Sequence, residues 1–319
     1  MKASVVLCTW NRCEQLTKTL EAMCALRVPA GSEWELLVVN NNCSDATDEV
    51  IASFEGRLPV HRLFEPKQGL SNSRNCGIAA AAGELVVFTD DDVFVEPGWL
   101  AAYVAAAERW PKAAYFGGPI VPQFESEPPA WMTDHLRLFR NMLGVRDCGP
   151  EEREFRGEET PFGGNMTFRR SVFEQRRFDP ALGRSGEGRI MGEEGVLFRH
   201  LAEEGIRGVW VPQAALRHFI PCKCFSTKYV WDWFSGHGRT YVRVFGRKPG
   251  KTLWGIPRHQ IRKYCGARLK SWLLAPWKTK GWTPAFVTAA RTWGMMQESR
   301  AVRGRDNGSA CSAGQTVRS

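Results

Sequence analysis

Glu84-Leu85-Val86-Val87-Phe88-Thr89-Asp90-Asp91-Asp92 is an apolar run that stops on three adjacent carboxylates. The apolar part reads as a buried strand, and the acidic part as its carboxyl end. Three neighbouring carboxylates repel one another unless a cation neutralises them. Alternate residues of an extended segment point the same way, so Asp90 and Asp92 can converge on one point. Hard oxygen ligands of this kind suit Mg²⁺ or Mn²⁺, which in turn bridge phosphate oxygens. The competing reading is a solvated acidic turn or a helix cap.

Working outward, strand-like and helix-like segments alternate over the first 120 residues. Ala3–Thr9, Glu35–Asn40 and Val60–Glu65 read as strands, with helices predicted over Leu16–Met23, Asp45–Phe54, Gly69–Ala82 and Pro97–Trp110. Continuous apolar strands in a βαβα order imply an α/β fold, a mostly parallel sheet with helices on both faces. Ligands of such sheets bind at the carboxyl ends of strands. Thr9 and Asn11, Asn40 to Asp45, and Asp90 to Asp92 all lie at those ends. Residues 122–160 are rich in Pro, Glu and Arg and read as a long mobile loop with one short helix near Trp131–Leu143.

The bulk composition is globular, with 319 residues of which 43% are hydrophobic. No apolar run is long enough to span a bilayer, and the first residues carry no secretory signature, so a cytoplasmic chain is expected. The ten cysteines match no zinc spacing and read as free thiols. The net charge of +9 conceals an asymmetry: residues 220–319 hold 19 Lys and Arg against 3 Asp and Glu, and seven of the thirteen Trp. A basic, Trp-rich helical extension favours an anionic surface, lipid headgroups before nucleic acid, unless it is simply a solvated face. The organisation expected is an α/β domain over 1–220, the helical basic extension over 221–302, and a disordered Gly/Ser-rich tail over 303–319.

Three further constellations carry polar chemistry. Asn40-Asn41-Asn42-Cys43-Ser44-Asp45 can hydrogen-bond a base or ribose, or merely turn. In Gly69-Leu70-Ser71-Asn72-Ser73-Arg74-Asn75-Cys76-Gly77, Arg74 sits where the helix dipole does not favour a cation; an anion, a base or a salt bridge with a nearby aspartate would explain it. Gly192-Glu193-Glu194 opens a helix, where paired carboxylates either cap or serve as a general base.

Taken in order, Thr9-x-Asn11-Arg12, Val38 to Asp45, Gly69 to Gly77, Thr89-Asp90-Asp91-Asp92, Gly163-Gly164-Asn165 and Gly192-Glu193-Glu194 resemble the family-2 glycosyltransferases over about residues 1–220. The resemblance implies the GT-A fold, a Rossmann-like domain with an added acceptor side, and inversion at the anomeric carbon. It places Thr9, Asn11, Asn40, Asp45, Arg74 and Asp90 at the nucleotide, and Asp92 with Asp90 at the metal, Mn²⁺ or Mg²⁺. It places Gly164, Asn165 and Glu193 around the sugar and acceptor, and Glu194 at the catalytic base. His218 is an additional metal candidate, an interior hydrogen-bonded histidine being the plainer reading. Two residues depart from the family pattern: Asn40 and Glu194 each stand where Asp is usual.

The activity implied is transfer from a nucleotide-diphosphate sugar, read as a UDP-sugar, to a hydroxyl of a glycan or polyprenyl-linked acceptor. The expected location is the cytoplasm, peripheral at the inner face of the membrane. Two other classes compete. A sugar-1-phosphate nucleotidyltransferase would carry a Gly-rich loop after the first strand, where Thr9-Trp10-Asn11-Arg12 has no glycine. A basic nucleic-acid-binding protein would use the last hundred residues, which hold no recognised motif, so no nucleic acid is expected.

Overall fold

The computed structural model describes residues 1–28, 31–184, 190–246, 250–278 and 280–312, with side chains described as far as residue 301. Two compact units are present: Met1–Glu125 with Arg140–Glu187 and Glu193–Pro221, and Ser126–Phe139 with Gly188–Gly192 and Cys222–Ser319.

In the first unit the strands are β1 (Lys2–Thr9), β2 (Glu33–Asn40), β3 (Val60–Phe64), β4 (Leu85–Asp90), β5 (Val93–Val95), β6 (Tyr115–Gly117), β7 (Ile120–Phe124), β8 (Arg153–Glu154), β9 (Asn165–Arg169), β10 (Gly208–Trp210) and β11 (Leu216–Ile220). Its helices are α1 (Cys13–Met23), α2 (Thr47–Ser53), α3 (Leu70–Ala80), α4 (Trp99–Arg109) and α7 (Glu193–Glu203). The main sheet has the order β3-β2-β1-β4-β9-β6-β10-β8. β1 to β4 run parallel, as do β6 and β10, while β9 and β8 are antiparallel to their neighbours.

Side-chain alternation explains why helices must cover both faces. Val5 and Leu7 of β1 join Leu16 and Leu20 of α1, Ile51 of α2, and Trp99, Leu100 and Tyr103 of α4 in one core. Val6, from the same strand, joins Ile78 of α3 and Leu197, Phe198 and Leu201 of α7 in the other. Phe88 is the centre of that second core, with edge-on contacts to Phe168, Phe173 and Phe178 at ring centroid distances of 5.6–6.0 Å. The predicted α/β sheet with both faces covered is therefore present.

A smaller sheet, β5-β11-β7, lies just beyond the acidic run. β11 pairs antiparallel with β5 through His218↔Val93 and parallel with β7 through His218↔Pro122. This register sets His218 opposite Val93, the residue next to Asp92, and the Phe219 amide donates to the Asp92 carbonyl at 2.8 Å.

The second unit holds α5 (Ala130–Thr133), α6 (Leu136–Phe139), α8 (Thr227–Phe245), α9 (Arg258–Leu274) and α10 (Trp282–Ser312), with a two-strand ribbon, β12 (Thr252–Leu253) and β13 (Ile256–Pro257). Segment 122–160, read from sequence as one loop with one short helix, contains the end of β7, α5, α6 and β8. The one-turn helices were not visible as periodicity because each is only four residues long. The segment also carries buried side chains: Trp131 packs edge-on against Trp282 at 5.4 Å, and its carbonyl accepts a hydrogen bond from Thr283 Oγ1 at 2.9 Å. α10 runs ten residues into the stretch expected as a tail, and residues 313–319 lie outside the described ones. α8 and α10 approach closely at Gly238 and Gly294, where a Cβ would meet the backbone of Arg291 and of Ser235. Beside them, Glu298, itself buried, holds Arg243 at 2.7 Å and Arg239 at 3.6 Å.

Candidate active site

β4 ends by directing its aspartates in different directions. Asp91 turns inward: it is 5% exposed, its Oδ2 accepts from Thr9 Oγ1 at 2.8 Å, and its carbonyl accepts from Thr19 Oγ1 at 2.9 Å. Arg12 bridges Asp91 Oδ1 and Asp92 Oδ2, each at 2.7 Å. Burial pushes the Asp91 carboxyl up to about 6, against the pull of Arg12. Asp90 and Asp92 share the other side, each half-buried. Burial pushes both upward. At Asp92 the His218 imidazole and Arg12 outweigh it and hold the carboxyl well below its ordinary value, whereas Asp90 stays raised despite Arg74.

His218 Nε2 lies 3.4 Å from Asp92 Oδ1, and its Nδ1 faces the Leu143 carbonyl oxygen at 2.9 Å. The carbonyl accepts a hydrogen bond from Nδ1–H, which leaves Nε2 aimed at the acidic side. Burial lowers the imidazole's proton affinity, but Asp92 more than offsets it, so the pKa is raised. His218 is thus brought to the acidic run, as its sequence position suggested.

Arg74 is nearly enclosed, its side chain 3% exposed, and stands between the two glutamates of α7: Nη1 to Glu193 Oε1 and Nη2 to Glu194 Oε1, each 3.0 Å. It also lies over the Phe178 ring at 5.3 Å. The cation near the start of α3 is explained by a salt bridge, made with these two glutamates and not with the aspartate expected. Glu193 is buried, while the Glu194 side chain is 22% exposed and offers a carboxylate to the cleft. Burial raises the Glu194 carboxyl above its ordinary value, against the opposing pull of Arg74. Gly163 and Gly164 separate these groups. A Cβ on Gly163 would land on Glu194 Oε1, and one on Gly164 would lie 2.7 Å from Asp90 Oδ2.

The residues at the end of β2 form a second cluster. Asn40 Oδ1 accepts from the Cys43 amide at 2.8 Å, and its Nδ2 donates to Asp48 Oδ1 at 2.6 Å. Asn11, with φ of 50°, accepts the Ser44 amide on its Oδ1 at 2.7 Å. Asp45 accepts from the Cys13 amide at 2.9 Å and from Thr47 Oγ1 at 2.6 Å. These bonds join the β1 and β2 loops into one wall. They also show that Thr9, Asn11, Asn40 and Asp45 have structural partners of their own.

Asn165 departs further from a contact at the sugar. Its Oδ1 accepts from Trp99 Nε1 at 2.8 Å and Tyr103 Oη at 2.7 Å, and its Nδ2 donates to the carbonyls of Pro119 and Ala214 at 3.0 and 2.9 Å. That exhausts the amide's ordinary capacity. Asn165 therefore positions the Gly163-Gly164 turn rather than reaching into the cleft. Arg12 is the principal residue that the residue-by-residue reading passed over. Its place in Thr9-x-Asn11-Arg12, three residues past a strand end and facing the acidic run, was the available signal.

Among the described residues, no three His, Cys, Asp or Glu side chains close on a point tightly enough to enclose a metal by themselves. Asp90, Asp92 and His218 supply two carboxylates and an imidazole to one cleft, a donor set suited to Mn²⁺ with further oxygens from a ligand. A separate cleft of about 610 Å³, lined by Pro119, Val121, Arg146, Pro150 and Pro212, contains none of the acidic groups. Cys8, Cys13, Cys24, Cys43, Cys76, Cys148 and Cys265 are in no disulfide.

Comparison with known proteins follows the same lines. The sequence model of Glycosyl transferase family 2 matches residues 4–177. The succinoglycan biosynthesis protein ExoM of Rhizobium meliloti is 26% identical over 256 residues, 78% of each chain. A validoxylamine A glucosyltransferase of Streptomyces hygroscopicus is 31% identical over 105 residues, 32% of this chain and 25% of its own. Among solved structures, S. aureus TarS in complex with UDP has a TM-score of 0.55 at 15% identity, covering 95% of this chain and 92% of its own. The Pyrobaculum calidifontis mannosyltransferase PcManGT, solved with GDP-Man and Mn²⁺, has a TM-score of 0.55 at 16% identity, over 99% of this chain and 76% of its own. At these identities the two structures speak for the GT-A-like fold.

Proposed function

This chain belongs to glycosyltransferase family 2, and from that premise we propose that it moves a sugar from a nucleoside diphosphate donor, a UDP-sugar, to an acceptor hydroxyl with inversion. The relative named for succinoglycan biosynthesis favours a growing glycan as the acceptor; a polyprenyl carrier for it is part of the same proposal. The observation that carries the reading is that the His218–Asp92 pair at 3.4 Å, the Arg74–Glu194 pair at 3.0 Å and Asp90 gather about Gly163 and Gly164 at the carboxyl end of β4. Family membership sets aside the nucleotidyltransferase and the non-enzymatic binding protein.

The donor diphosphate lies at Asp90 and Asp92, with the base and ribose against the joined β1 and β2 loops. The Asn40 oxygen keeps a second lone pair for an imide N–H, which is compatible with uracil. Asp90, Asp92 and His218 would hold Mn²⁺ or Mg²⁺, which supplies charge neutralisation on the leaving diphosphate. Glu194 takes the proton of the acceptor hydroxyl, whose oxygen attacks C1 as the C1–O bond to the diphosphate breaks. The products are the glycosylated acceptor and the nucleoside diphosphate, with the proton on Glu194. Arg74 orients Glu194 and limits how far burial raises its pKa.

A hydrolysis and transfer screen over nucleotide sugars, with and without Mn²⁺, tests this reading. Release of nucleoside diphosphate from one donor, dependent on added metal, is the expected result. Release of pyrophosphate, or full turnover in chelator, would overturn it.

A further inference from the structure

The second unit contains a helix whose burial pattern is inverted. The inward residues of α9 include Gln260 and Ser271, each 2% exposed. Its outward face carries Leu269 at 57%, Trp272 at 69% and Leu273 at 54% exposure, and Trp277 just beyond the helix is 72% exposed. Positions 262, 265, 266, 269, 272 and 273 all share that face by helical spacing, and all are exposed. Large apolar side chains gathered on one exposed face, rather than scattered singly, mark an interaction surface.

Cations surround the stripe. Lys263, Arg268, Lys270, Lys278 and Lys280 are exposed around it. Arg268 rests on the Trp231 ring at 5.2 Å, and Lys278 lies over Trp131 and Trp282 at 5.9 and 5.6 Å. Between Asp232 and Glu298 the sequence has thirteen Lys and Arg and not one Asp or Glu. A second copy of this face would meet it with like charge, which disfavours self-association. Among the described residues no helix is long and apolar enough to cross a membrane. Trp and Leu flanked by Lys and Arg are the composition that seats in the boundary between headgroups and acyl chains.

We infer that the Leu269-Trp272-Leu273-Trp277 face of α9 docks on an anionic lipid bilayer, with Trp and Leu entering the headgroup boundary and the surrounding cations meeting lipid phosphates. This attachment is independent of which donor the transferase unit uses.

Co-sedimentation of the full chain with vesicles tests the inference. Binding to phosphatidylglycerol–phosphatidylcholine vesicles at low salt is expected, with little binding to pure phosphatidylcholine. The double variant Trp272→Ser/Leu273→Ser should bind at least roughly ten-fold more weakly, since each loses apolar burial. Lys263→Glu/Lys270→Glu should cost roughly five-fold per charge, more at low salt than at high. All four residues are exposed, so the variants keep the fold, checked by an unchanged far-ultraviolet spectrum and unchanged donor hydrolysis in free solution. No binding to anionic vesicles at low salt overturns the inference. So does binding that the Trp272 and Leu273 substitutions leave intact, concentration-dependent dimerisation that they abolish, or capture of single-stranded RNA without vesicle binding.

Discussion

Arg74 Nη2 and Glu194 Oε1 stand 3.0 Å apart, with the guanidinium almost wholly out of solvent and a second glutamate, Glu193, at its other nitrogen. Removing one partner of a buried pair leaves an uncompensated charge, at a cost of about 3–5 kcal/mol. Arg74→Met should lose stability of that order at pH 7.5. The loss should shrink near pH 5, because two facing, unpaired carboxylates can then take up a proton. Urea denaturation at the two pH values measures this; equal losses at both would contradict it.

Glu194 provides the second prediction. Glu194→Gln should lower transfer by on the order of 10²–10⁴-fold while nucleotide binding stays near normal. In the wild type, burial raises the carboxyl, and the reactive form is the carboxylate. The kcat/KM profile should therefore fall as pH drops through a value above the usual glutamate range, and Glu194→Asp should keep that acid limb at reduced height. Full activity in Glu194→Gln would end the assignment.

Neighbouring aspartates should behave differently. Asp92→Asn should cut kcat/KM and raise the metal concentration needed for half-activity. Asp91→Asn removes the charged acceptor of Thr9 and Arg12 from an enclosed position. A stability loss of about 1–3 kcal/mol is expected, readable by urea denaturation without any substrate.

His237, in the second unit, is stacked on Trp233 at 5.5 Å, and burial, reinforced by Arg291, lowers its pKa to about 4. The folded chain thus binds this proton less readily than the unfolded chain, whose histidine titrates near 6.5. The stability contributed is complete above 6.5 and is lost as pH falls toward 4. Over that window the loss should amount to roughly 2–3 kcal/mol, and His237→Gln should flatten it. Midpoints measured at pH 7, 5.5 and 4.5 decide the matter.

Much of the first unit could be read in advance, for a physical reason. β1, β2 and β4 are buried on both faces and so appear as unbroken apolar runs, and each ends in the short polar residues that form the cleft. The small sheet was less legible because β5 is only three residues long and β11 alternates around His218. Of the three aspartates, Asp91 turns inward to Thr9, while Arg12 reaches both Asp91 and Asp92. Two side chains carried meanings that sequence does not separate. Asn165 sits in the expected motif, yet spends its amide on Trp99, Tyr103 and two carbonyls. Asn40 and Asp45 stand at a strand end, where a turn and a ribose contact require the same residue types. In α9 the direction of each side chain had to come from the structure: Gln260 and Ser271 face in, and Leu269, Trp272 and Leu273 face out.

The place of β9 in the sheet has a consequence for how the chain is made. β9 lies antiparallel between β4 and β6, so the outer edge of β4 has no partner until the chain has grown 75 residues beyond Asp90 to reach Asn165. At a ribosome, that interval lasts on the order of 4–15 s. Throughout it, Val86 and Phe88 sit on a strand whose open hydrogen-bonding edge invites foreign strands. A fragment ending near residue 110 should therefore aggregate, although it contains the whole acidic run. The first hundred residues thus depend for their solubility on a strand that is made well after them.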